Sequence, residues 1–78
     1  RNKVAQAMTL PVAVIGLGAL GLPVASRLLA AGHPVAVFDV RAEPMRELAA
    51  QGARAAATPA EAAREADVIV SLVSDTAQ

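Results

Sequence analysis

The sequence predicts an α/β fold with a parallel sheet, and three observations predict it. Apolar runs rich in β-branched residues and free of charge stand at Val12-Ala13-Val14-Ile15, Val35-Ala36-Val37-Phe38 and Val68-Ile69-Val70-Ser71-Leu72-Val73. Runs of that kind suit strands covered on both faces. Patterns of helical period separate them, and alternation of strand with helix marks parallel βαβ units. Glycine and proline punctuate the joints, above all in Gly16-Leu17-Gly18-Ala19-Leu20-Gly21.

Arg1 to Leu10 has no periodicity and reads as a disordered leader, with Met8 a candidate natural start. The domain is assigned to residues 11–78. Val12 to Ile15 form the first strand. Gly16 lets the chain turn sharply out of it, where a Cβ would collide. A helix is expected from near Ala19, with Leu20, Val24, Leu28 and Ala31 as its apolar stripe and Gly32 as its stop. Pro23 then lies one turn in, at the edge of what a first turn tolerates. Val35 to Phe38 form the second strand, which ends at Asp39.

Glu43 to Ala50 fit a short helix, with Pro44 in its first turn and Gly52 past its end. Ala53 to Ala56 are a weak, alanine-rich candidate for the third strand. Thr58 caps the next helix, Pro59 takes its first position and Glu61 completes a capping box. Asp67 precedes the fourth strand, Val68 to Val73. The pattern is βαβαβαβ, with right-handed crossovers and strand order 3-2-1-4.

The glycine loop carries the functional reading. Its glycines keep the G-x-G-x-x-G spacing, it follows a strand and opens a helix, and an acid, Asp39, ends the next strand. That context, within a βαβ unit of about 30 residues, points to a Rossmann-type dinucleotide site. Gly18 leaves room for a pyrophosphate at the backbone, and Gly21 lets the helix pack closely on the sheet. The first helical N–H groups lack partners and carry the positive end of the helix dipole, so an anionic diphosphate satisfies both. The loop lacks the G-K-[ST] ending of a P-loop, which argues against nucleoside triphosphate hydrolysis.

Asp39 favours NAD. Its carboxylate can accept from the ribose hydroxyls and repels the 2′-phosphate of NADP. Arg41 leaves NADP open, since a guanidinium can stack on adenine or reach that phosphate, or simply face solvent. Order 3-2-1-4 sets strands one and four side by side, and ligands bind beyond the carboxyl ends of strands at such a switch point. Leu72, Val73 and Ser74 are therefore placed near the nicotinamide half.

Composition excludes other classes. The 78 residues allow one small domain, and hydrophobic residues make up 55% of them, much of it alanine. Seven acids balance seven bases and Phe38 is the sole aromatic, so there is no basic stripe or stacking platform for nucleic acid. No apolar run has membrane-helix length. Cysteine is absent, which removes disulfides and thiol chemistry, and no secretory signal is evident, so a cytoplasmic setting is the default. His33, between Gly32 and Pro34, reads as a turn residue with no second metal-ligating partner. Ser26 and Ser71 lack a histidine–acid arrangement. Asp67 and Asp75 read as strand-start and loop acids. No catalytic or metal residue is assigned.

Ile15-Gly16-Leu17-Gly18-Ala19-Leu20-Gly21-Leu22-Pro23, Leu28-Leu29-Ala30-Ala31-Gly32-His33 and Val37-Phe38-Asp39 together resemble the N-terminus of the β-hydroxyacid dehydrogenase family. That family includes 3-hydroxyisobutyrate and 6-phosphogluconate dehydrogenases. Thr58-Pro59-Ala60-Glu61-Ala62-Ala63 and Ala66-Asp67-Val68-Ile69 resemble it too. The family often has methionine where Leu20 stands, a swap that roughly keeps the volume. The resemblance implies NAD(P)-dependent oxidation of a β-hydroxyacid, with hydride passing to the nicotinamide. In such enzymes a lysine on a following helical domain serves acid–base catalysis, and a glycine-rich substrate segment follows the fourth strand. Neither is present in these residues, and Lys3 is not carried over to that role. What carries over is cofactor contact: Gly16, Leu17, Gly18, Ala19, Leu20 and Gly21 in the loop, then Asp39, Val40 and Arg41, then Leu72, Val73 and Ser74.

The small-molecule substrate is thus expected to bind mainly on a C-terminal domain missing from this sequence. An apolar fourth strand left at the edge implies a longer enzyme or self-association into a homo-oligomer. Two other readings share the loop. One is a non-catalytic nucleotide-binding module for regulation or assembly. The other is an FAD-binding domain, which usually places Glu where Asp39 stands.

Overall fold

The structure, a computed structural model, describes residues 10–72. Its elements run β1 (Val12–Ile15), α1 (Gly21–Ala30), β2 (Val35–Phe38), α2 (Ala42–Ala50), β3 (Arg54–Ala55), α3 (Pro59–Ala63) and β4 (Val68–Ser71). The sheet has the order β3-β2-β1-β4, all pairs parallel, as the sequence predicts. Among the described residues no helix is long and apolar enough to cross a membrane.

Strand alternation sorts the core into two layers. Val12 and Val14 of β1 and Val35 and Val37 of β2 join Leu17, Ala25, Leu48 and Ala53 on the face covered by α1 and α2. Ala13 and Ala36 point the other way and pack with Ala56 and Ala62 under α3, flanked by Ile15 and Phe38. One face is thus branched and bulky and the other is alanine-rich, which lets the short α3 approach closely. Burying Leu48, a fully covered side chain, contributes on the order of 2 kcal/mol.

Helix ends follow their predicted signals. Gly32 (φ +98°) and Gly52 (φ +108°) close α1 and α2 in the left-handed conformation. At α1 the Gly32 and His33 amides donate to the Leu29 and Leu28 carbonyls at 3.0 and 3.1 Å. At α2 the Gly52 and Ala53 amides donate to Ala49 and Leu48, both at 3.0 Å. This paired pattern satisfies the last carbonyls of each helix.

The structure departs in detail from five sequence expectations. Helix α1 begins at Gly21 rather than near Ala19, so Pro23 falls inside the first turn, where no helical donor is lost. Its buried line runs through Gly21 and Ala25, with Leu22, Leu28 and Leu29 packed beside them. Leu20 and Ala31 are exposed, because small residues occupy the line where the helix comes nearest the sheet. At α3, Thr58 Oγ1 accepts the Glu61 amide at 3.0 Å as expected, but the Glu61 carboxylate takes the Ala57 amide (2.7 Å), one residue before the cap. Strand β3 shrinks to Arg54–Ala55, both exposed, and β4 ends at Ser71. Val68 and Ile69 of β4 stand 43% and 55% exposed, so the sheet presents an apolar edge among the described residues.

Candidate functional site

Parallel register brings the predicted site residues together. Ile15 pairs with Phe38 on one side and with Ser71 on the other. The next residue on each strand is Gly16, Asp39 and Leu72, so these three share one carboxyl edge. The Gly16 amide donates to the Phe38 carbonyl (2.9 Å), and the Leu72 amide donates to the Ile15 carbonyl (2.8 Å).

Two of the loop glycines are demanded by the fold. Gly16 has φ +94°, and a Cβ there would strike the Leu72 carbonyl oxygen. A Cβ on Gly21 would meet the Gly16 carbonyl, so this glycine seats α1 against the end of β1 itself. Gly18 differs. Its φ lies outside the left-handed region, and a Cβ there would meet nothing within 4 Å. The protein leaves that side open.

The amides beside this opening are also open. Leu20 caps α1 with no side-chain acceptor, and the first turn holds no acid. Among the described residues, no acceptor meets the amides of Gly18, Ala19, Leu20 or Gly21, while Gly18, Ala19 and Leu20 are exposed. An anion of pyrophosphate geometry fits this set, because it supplies acceptors and negative charge where both are lacking.

Leu17 is an anchor. Its side chain is 2% exposed within the main core. Its amide donates to Asp39 Oδ2 (2.6 Å), and its carbonyl accepts from Arg41 Nη2 (2.7 Å). Asp39, the one buried charged residue among those described, also accepts the Arg41 amide (2.8 Å) and Nε (3.0 Å) at Oδ1, and Nη2 (3.3 Å) at Oδ2. The guanidinium of Arg41 is the main reason the Asp39 carboxyl falls from its ordinary 3.8 to about 2. Burial opposes that fall, and the Arg41 and Leu17 amides add to it. Asp39 in turn raises the Arg41 pKa, and the guanidinium stays charged.

Sequence reasoning placed Asp39 and Arg41 correctly at the strand end but missed their hold on Leu17. A signal existed. Parallel register sets the residue after β2 beside the glycine loop, and a buried carboxylate there needs donors. Val40 is 89% exposed and Leu20 is 68% exposed, two large apolar side chains standing free around the site. Leu72 is half-buried at the β1–β4 junction, whereas Val73 and Ser74 lie outside the described residues. His33 sits away from the site, its Nδ1 3.0 Å from the Leu10 carbonyl. A cavity of about 240 Å³ opens between Pro11, Pro34, Arg54 and Glu65, toward the amino ends of the strands, and brings no buried charged group together.

Residues 11–78 match the family described as the NAD binding domain of 6-phosphogluconate dehydrogenase. The chain belongs to that family. Among curated relatives, 3-sulfolactaldehyde reductase of Escherichia coli is 50% identical over 62 residues, which are 80% of this chain and 21% of the reductase. A solved 3-hydroxyisobutyrate dehydrogenase of Mycobacterium tuberculosis, with L-serine, superposes with a TM-score of 0.80 at 35% identity, over 85% of this chain and 23% of that one. An imine reductase variant from Myxococcus stipitatus in complex with NAD+ gives 0.81 at 30% identity, over 90% and 24%. The chain therefore spans about a fifth of the length of such relatives. As a member of this family it is an NAD-binding domain.

The Asp39 pKa sets an expected pH dependence. The unfolded chain takes up this proton near pH 3.8 and the folded chain near 2, so falling pH favours unfolding across that interval. The stabilisation is complete above about pH 5 and lost as pH falls toward 2. It is worth on the order of 1 kcal/mol, since the Arg41 side of the pair is open to solvent. Urea midpoints measured between pH 5 and pH 2.5 should fall less steeply in Asp39→Asn than in the wild type, which should start the more stable.

Proposed function

We propose that this chain is the cofactor-binding part of an enzyme that moves hydride between a β-hydroxyacid and NAD. The observation that carries the reading is the open, unpaired loop at Gly18, Ala19 and Leu20, set at the carboxyl edge of β1 beside Asp39. The loop amides hold the diphosphate, with Gly16 and Gly21 fixing the turn and Leu17 anchoring it. Asp39 takes the adenosine ribose, and Val40 offers its exposed face to the adenine. Arg41 lies within reach of the ribose 2′ position, so NADP is a second ligand. Leu72 lies on the nicotinamide side, a contact that the sequence also assigns to Val73 and Ser74. Bound NAD supplies the hydride acceptor. Substrate and acid–base groups come from polypeptide beyond these residues, in keeping with the fifth of its relatives' length that the chain spans. The exposed Val68 and Ile69 support packing inside a larger unit or a homo-oligomer.

Isothermal titration of the full natural polypeptide with NAD, NADP and FAD tests the reading. NAD should bind more tightly than NADP, and FAD should not bind. Asp39→Ser should weaken NAD about tenfold, through loss of charge-assisted hydrogen bonds, and narrow the preference over NADP. Tight FAD binding without NAD binding would replace the reading with a flavoprotein. Dinucleotide binding by a natural chain with no lysine-bearing second domain would favour a regulatory module.

A further inference from the structure

We propose that Arg41 is a built-in competitor for the ribose position: its guanidinium occupies the faces of Asp39 that a ribose diol must use, and NAD binds by displacing it. The inference rests on the dinucleotide reading and adds to it a residue that sets both affinity and cofactor choice.

The argument is one of capacity. A carboxylate offers about four acceptor positions. Asp39 receives four donors, two on each oxygen: the Leu17 amide and Arg41 Nη2 at Oδ2, and the Arg41 amide and Nε at Oδ1. No position is left for a diol, which brings two donors of its own. The two backbone donors belong to the fold. The Leu17 amide is fixed by a core-buried residue, and the Arg41 amide by the turn into α2. Only the two guanidinium donors can leave.

Their departure is cheap. The Arg41 side chain is 58% exposed, so it has solvent to enter, and ion pairs with one exposed partner are weak. Its other contact is the Leu17 carbonyl at 2.7 Å. A guanidinium that keeps this contact stays beside the loop after it has left Asp39. There it is placed to meet a 2′-phosphate, the group that Asp39 alone would repel. The same side chain thus lowers NAD affinity and offsets the barrier to NADP. Without Arg41 the site should separate the two cofactors far more sharply.

Titrations of NAD and NADP into the full natural polypeptide, as wild type, Arg41→Ala and Arg41→Lys, test this. In Arg41→Ala, Kd for NAD should fall about twofold to fivefold, the range of an exposed pair, and Kd for NADP should rise about tenfold. In Arg41→Lys, NAD should tighten as well, because an ammonium cannot span both oxygens of Asp39 and the Leu17 carbonyl, while NADP binding is kept. Far-UV circular dichroism confirms the fold of each variant. If Arg41→Ala weakens both dinucleotides alike, or changes neither, Arg41 is only a brace for the loop and the proposal is overturned. If the wild type binds neither dinucleotide, the site reading itself fails, and the proposal falls with it.

Discussion

Gly18→Ala should abolish most dinucleotide affinity while leaving the protein as stable as the wild type or more so. The two halves of this expectation come from different facts. A Cβ at Gly18 meets nothing within 4 Å, and the residue is not in the left-handed region, so the fold accepts alanine. Replacing glycine at a compatible position restricts the unfolded chain and adds about 0.4–1 kcal/mol of stability. On the proposed reading, the Cβ would nevertheless fill the space through which a diphosphate reaches the amides of Gly18, Ala19 and Leu20. Losing two such charge-assisted hydrogen bonds costs about 3 kcal/mol, or roughly a hundredfold in Kd. Calorimetric titration with NAD alongside a thermal melt checks both halves at once. Unchanged NAD binding would mean that the diphosphate does not pass Gly18. A large fall in melting temperature would mean that the glycine serves the fold.

The contrast among the three loop glycines shows what the sequence can and cannot convey. Their spacing, and the strand and helix around them, suffice to place the turn, the parallel sheet and the carboxyl edge. Spacing is blind to which glycines the fold demands and which it leaves open. That division depends on where Leu72 and Gly16 carbonyls fall in three dimensions. Strand identity was legible for β1 and β2, where valine alternates with residues of the opposite layer. It was weaker for β3, since Arg54 and Ala55 bury little and are held by pairing with Ala36 and Val37 rather than by their own composition. The apolar stripe of α1 is rotated from its buried face. An apolar stripe points to the largest side chains, whereas closest approach to the sheet selects Gly21 and Ala25. At the site, Asp39 was visible as an acid at a strand end. The tie of this strand end to Leu17 was not, because the bond from the Leu17 amide to Asp39 and that from Arg41 to the Leu17 carbonyl span 22 and 24 residues and leave no local mark.

Gly16→Ala should unfold most of the protein, and Gly52→Ala should not. Both glycines have left-handed φ, +94° and +108°, so alanine at either pays about 1–2 kcal/mol for backbone strain. Around Gly52 there is nothing within 4 Å, and the cost ends there. At Gly16 the new Cβ collides with the Leu72 carbonyl oxygen, which belongs to backbone and not to a flexible side chain. Leu72 cannot withdraw without breaking the 2.8 Å bond from its amide to the Ile15 carbonyl, and with it the end of the β1–β4 pairing. The combined cost should exceed about 4 kcal/mol, at the lower end of the whole stability of a domain this small. Urea unfolding followed by far-UV circular dichroism separates the two cases. Gly52→Ala should show a cooperative transition at a lower midpoint, and Gly16→Ala little native baseline. Equal midpoints would mean that the two strand ends meet with slack at Gly16. In that event the close junction of β1 and β4, on which the proposed placement of Leu72 beside the cofactor depends, would have to be abandoned.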